Sequence, residues 1–235
     1  MQDEVTICNK NITGIFGIAF AQLAGYSAFN ESLMSSWTGA TADGEAGPCP
    51  HTFEGALTPP LIQTIDEGED NGKVGIYWSG EMGRSVGMLY IGQSAVQNQY
   101  YSAWNMVQAT LGENGYYEVN IKKISVGGST LTPEQGDWVC NPPYESCIMD
   151  TGTPIPQIPK KVFNKMFKNQ NDDVAFELAS GHSTVSIKFP ITKLIENNMV
   201  FGYEGSGPII LGLPLWSFYY TVFDIKGLTV SFVPL

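Results

Sequence analysis

The sequence predicts a mainly β protein, and three observations carry that prediction. Glycine and proline are abundant, 26 and 14 of the 235 residues, which suits many short strands joined by turns rather than a helical bundle. Only 15% of the residues are charged while 43% are hydrophobic and 12% aromatic, enough to fill the core of one large domain or two small ones. Short runs of alternating apolar and polar residues recur along the chain, separated by Asn-Gly, Gly-Gly and Lys-Gly turns.

Taken in order, residues 14–20 read as a short buried strand with a glycine where another backbone comes close. They lie in an uncharged run from Lys10 to Glu31, but Thr13, Gln22, Ser27 and the glycines dilute it below what a membrane span needs, so no span is expected. Residues 30–60 carry Gly, Ala, Ser and Pro without a period and read as a long loop. The acidic stretch 66–70 before Asn71-Gly72 lacks the spacing of a calcium loop and reads as a solvated turn. Residues 73–78 and 87–91 read as paired strands about the turn that holds Gly80, Gly83 and Gly87; no Gly-Lys-Ser/Thr follows, which disfavours a phosphate loop. Tyr116 to Ile121 alternates like a half-exposed strand, and Ile124-Ser125-Val126 extends the ribbon to Gly127-Gly128. Pro159 is placed as the first residue of the chain's one isolated helix, with Val162, Phe163, Met166 and Phe167 on one face and Lys160, Lys161, Lys165 and Lys168 elsewhere. Residues 185–189, 219–225 and 228–232 alternate as strands, the last two joined at Lys226-Gly227.

Twelve basic against 23 acidic residues give a formal charge of −11, which opposes a nucleic-acid partner because phosphate binding needs a basic surface. A chain poor in Lys and Arg also gains little repulsive charge when its carboxylates protonate, so it tolerates acid. The four cysteines, Cys8, Cys49, Cys140 and Cys147, accompany two glycosylation sequons, at Asn11 and Asn30. Cys140 and Cys147 flank a loop containing Pro142 and Pro143, and together these features favour the oxidising secretory route, extracellular or into an acidic vacuolar or lysosomal compartment. No spacing is Cys-x-x-Cys and only His51 and His182 could assist, so neither a metal nor another cofactor is expected. Met1-Gln2-Asp3-Glu4 has no signal-peptide character; a secreted form would start upstream.

The stretch from Cys147 to Lys161 stands apart. Ile148 and Met149 lead into Asp150, followed by Thr151, Gly152 and Thr153, so a short buried strand would deliver one carboxylate into a tight turn of hydroxyls and a glycine. An ionised carboxylate placed there needs hydrogen bonds from the turn itself. Two large apolar residues followed by glycine recur as Ile15-Phe16-Gly17 and Ile210-Leu211-Gly212.

In combination these segments resemble the pepsin-like aspartic proteases, whose two lobes each carry an Asp-Thr/Ser-Gly turn and a later apolar pair plus glycine packed beneath it. Residues 148–153 look like the second-lobe turn, and residues 207–215 followed by 219–224 look like that lobe's closing segment. Residues 14–20 are similar to the closing segment of the first lobe, and Tyr116-Tyr117-Glu118-Val119 to the strand before the small disulfide loop, so the resemblance runs from about residue 14 to the end. It implies a pepsin-like acid protease fold with one complete C-terminal lobe (residues 93–235) and a partial N-terminal lobe with inter-lobe strands (residues 1–92). The implied activity is that of an endopeptidase on polypeptide substrates, with Asp150 as one catalytic carboxylate. Thr151 would link the two turns, Thr153 would hydrogen-bond Asp150, and Gly152 would let backbone approach the attacking water. Tyr116 and Ile148 would wall the substrate pocket or be core residues.

The sequence departs from the family in having no second Asp-Thr/Ser-Gly and no flap, and Pro154 stands where the family has Ser or Thr. The resemblance therefore implies only the half that contributes the second catalytic Asp, inert alone, with the missing N-terminal lobe segment of the same precursor as its partner. Pairing of two Asp150 turns in a homodimer, and a non-catalytic binding or inhibitor protein on the same scaffold, are the alternatives.

Overall fold

A computed structural model describes residues 5–7, 10–12, 72–79, 87–112, 116–140, 146–153, 155–196 and 201–235. The readings for residues 14–20, 30–60 and 66–70, the turn at Gly80 and Gly83, Cys8, Cys49, Asn30, His51 and Pro154 lie outside the described residues. The chain divides into two compact units, Met1–Thr64 and Ile65–Leu235. In the first, β1 (Val5–Ile7) and β2 (Lys10–Ile12) pair antiparallel, with Asn11 opposite Thr6.

The second unit is mainly β, and among its described residues the strands form three sheets. The largest has the order β4-β3-β14-β15-β5, with all neighbours antiparallel. β3 (Lys73–Trp78) and β4 (Gly87–Ile91) pair as the sequence predicts, from Val74 opposite Ile91 to Trp78 opposite Gly87. β14 (Tyr219–Asp224) and β15 (Thr229–Pro234) form the predicted hairpin, and β5 (Val107–Thr110) closes the far edge. β14 is buried on both faces from Tyr219 to Phe223. One face meets Tyr77, Tyr90, Tyr100 and Met106 around Tyr220, and on the other Phe223 lies against Tyr117 and Trp216. Gly75 is required there, because a Cβ on it would stand 1.9 Å from the Tyr220 hydroxyl.

The second sheet runs β11-β10-β6-β7. Residues 185–189 are the middle of β11 (Ser183–Pro190), whose whole length pairs with β10 (Asp173–Ser180). β10 is absent from the sequence reading although Val174, Phe176 and Leu178 alternate as a strand's buried face should. β6 (Ile121–Val126) turns into β7 (Ser129–Leu131) through Gly127 and Gly128, with φ of 56° and 70°, a backbone glycine adopts without penalty. The half-exposed strand expected at Tyr116 to Ile121 is a correction: Tyr117, Glu118 and Val119 are all buried, and the regular strand starts at Ile121. The reason is backbone on both sides, since Val119 bridges Leu111 and Glu118 bridges Ile148.

The third sheet, β12-β9-β13-β8, carries the site and is described below. The predicted helix is α2 (Lys160–Lys168), beginning one residue later than expected because Pro159 still belongs to a strand and serves as the cap. Its apolar face is only half used: Val162 and Met166 are buried, Phe163 lies against Gly202, and Phe167 is exposed. Nor is it isolated, because α1 (Pro133–Gly136) and α3 (Ile191–Glu196) are also helical. α1 is capped by reciprocal bonds between Thr132 and Gln135, the Thr-x-x-Gln form of a helix start, which the sequence contained. No helix among the described residues is long and apolar enough to cross a membrane.

Candidate active-site turn

β8 is two residues, Ile148–Met149, too short to be stable alone. It is held from both sides. On one flank the Met149 N–H donates to the Tyr117 carbonyl (2.9 Å) and the Val119 N–H to the Cys147 carbonyl (2.8 Å). On the other β13 (Ile210–Leu211) runs parallel to it, with the Ile148 N–H on the Ile209 carbonyl (3.0 Å) and the Asp150 N–H on the Leu211 carbonyl (2.9 Å). The chain then turns through residues 150–156 and returns along β9 (Gln157–Pro159), which pairs with the opposite edge of β13 and with β12 (Phe201–Tyr203). A strand some 60 residues away is thus threaded between the two arms of the Asp150 turn.

That threading explains Gly212. A Cβ there would lie 2.4 Å from the Thr153 carbonyl oxygen and 3.1 Å from the Pro156 nitrogen, so the backbone of β13's end presses directly on the turn. The Leu213 N–H donates to the same Thr153 carbonyl at 2.8 Å. Beneath lie the buried side chains of Met149, Ile158, Ile209 and Leu215, and a small apolar cavity of about 30 Å³ bounded by Leu211, Gly212 and Pro156.

The turn closes on its own carboxylate. The Gly152 N–H donates to Asp150 Oδ1 at 2.8 Å, and the Thr153 hydroxyl donates to Oδ2 at 2.5 Å. The Thr153 N–H adds a bond to the Asp150 carbonyl at 3.2 Å. Each carboxylate oxygen has one donor from the turn, so the plane of the carboxylate is set without a cation, and bonds to an ionised acceptor are the stronger kind. The expectation of a buried carboxylate is corrected: Asp150 is half-buried, and Thr151 and Gly152 are exposed. β8 is the last strand of its sheet, and the turn that follows it ends in the open. Chemically this is an oriented, accessible acid/base group on a rigid support.

Cys140 and Cys147 form a disulfide with Cα atoms 4.9 Å apart, anchoring the chain one residue before β8, and the Ile209 N–H donates to Cys147 Sγ at 3.3 Å. Ile148 is half-buried opposite Glu118. Tyr116 is 48% exposed, which removes core packing as its explanation and leaves it on the surface next to Tyr117, the residue that pairs with β8. Tyr117 itself is core, its phenol raised far above the usual range by burial. Asn11 sits in β2. Among the described residues no group of three or more His, Cys, Asp or Glu side chains is placed to hold a metal ion.

The residues that sequence reasoning missed are Glu118 and Ser146. The Ser146 hydroxyl donates to Glu118 Oε1 at 2.5 Å, tying the two chain segments that flank the start of β8. An acidic residue between Tyr117 and Val119, both apolar in character, was the available signal. Compared with known proteins, the chain matches no family model and no curated protein sequence.

Proposed function

We propose that the Asp150 turn is one half of an aspartic endopeptidase site, on a pepsin-like acid protease fold with a complete C-terminal lobe and part of an N-terminal one. The observation that carries this reading is the doubly hydrogen-bonded, half-buried Asp150 carboxylate in a turn whose far arm rests on the backbone of Gly212. A structural carboxylate needs no exposed face, and a merely exposed one needs no such support.

The chemistry requires a second carboxylate about 3 Å away, so that the two share one proton, as aspartic proteases do in general. The ionised member takes a proton from water while the protonated one polarises the scissile carbonyl, giving a tetrahedral intermediate with no covalent acyl-enzyme. Asp150 would supply one member, with Thr153 and Gly152 fixing its orientation through their hydrogen bonds, and Tyr116 and Ile148 would wall the substrate pocket. No second Asp-Thr/Ser-Gly occurs in the 235 residues, so the other carboxylate comes from a first-lobe segment of the same precursor or from a second copy of this chain. The disulfide, the sequons at Asn11 and Asn30 and the low count of basic residues support a secretory-route protein working in acid.

The test is proteolysis of an unfolded protein at acidic pH. The purified chain alone should show no pepstatin-sensitive cleavage, and adding a polypeptide that carries a first-lobe Asp-Thr/Ser-Gly turn should produce it. Asp150→Asn should abolish it. Cleavage that survives Asp150→Asn would end this reading, and activity of the chain alone at a rate quadratic in its concentration would assign the second carboxylate to another copy.

A further inference from the structure

We draw no further inference here: the strongest candidate, the outer edge of β4 in the five-stranded sheet, has Met88 and Leu89 half-exposed and its Ile91 end closed by the Ser94 hydroxyl, but nothing in the structure shows what covers it.

Discussion

Gly212→Ala isolates the contact on which the Asp150 turn rests. The added Cβ would lie 2.4 Å from the Thr153 carbonyl oxygen, and side-chain Cβ atoms do not come closer than 3.0 Å, so the turn must move by at least 0.6 Å (3.0 − 2.4). The obstacle is backbone on both contacts, Thr153 and Pro156, so no rotamer change relieves it. Overpacking of this kind costs about 1–3 kcal/mol. The displacement also strains the Leu213 N–H bond to Thr153, whose net worth is about 1 kcal/mol. The expected loss is therefore about 2–4 kcal/mol, or on the order of 5–15 °C in melting temperature for a unit of this size. Urea denaturation measures the loss, and hydrogen exchange of the Leu213 amide locates it. Gly128→Ala is the control, because its Cβ meets nothing within 4 Å and only the φ of 70° penalises it. Its cost should stay at about 1–2 kcal/mol, the penalty of a left-handed backbone for an L-residue, with protection of the Leu213 amide unchanged. If Gly212→Ala falls within about 0.5 kcal/mol of the parent with Leu213 protection intact, the turn does not rest on β13 and the account of the site is wrong.

The remaining predictions concern single groups. Thr153→Val removes the hydroxyl on Asp150 Oδ2 while keeping the side chain's shape, and should cost about 1.5–3 kcal/mol in urea denaturation, with Thr153→Ser restoring most of it. Equal stability of the Val and Ser variants would show that the bond is idle. Tyr220 is pushed up to about 12 by burial, partly opposed by the bond from Asn98. Below pH 10 the folded and unfolded chains both keep that proton. Between pH 10 and about 12 only the unfolded chain releases it, so stability falls as pH rises through this window. Tyr220→Phe should make that fall shallower, and an unchanged slope would refute it. The same variant should lose about 1 kcal/mol at neutral pH with the bond to the Ala95 carbonyl.

Much of the local structure was legible because it depends on neighbours in sequence. Alternation located β11, β14 and β15, two apolar runs about a glycine-rich turn located β3 and β4, and the amphipathic run located α2, all from residues close together in the chain. The Asp-Thr-Gly-Thr turn was legible too: both donors to the Asp150 side chain come from residues two and three positions on. Where reading by neighbours failed, the cause lay elsewhere in the chain. Tyr117, Glu118 and Val119 alternate in chemistry but are buried together, because Leu111 and residues 147–149 cover both edges. Phe167 has the pattern of a buried residue and is exposed, because the neighbouring elements receive only part of the helix's apolar face.

What the sequence by itself determined is therefore the mainly β class, the turn chemistry around Asp150 and the acidic, base-poor surface, all of which follow from residue types and short spacings. Only the tertiary structure decided that β13 lies between the two arms of that turn, that Gly212 is its backbone support, that Asp150 opens to the surface, and that Glu118 is buried. Those outcomes depend on which distant segments fill the space on either side, and a carboxylate carries the same letter whether its surroundings are water or a packed wall.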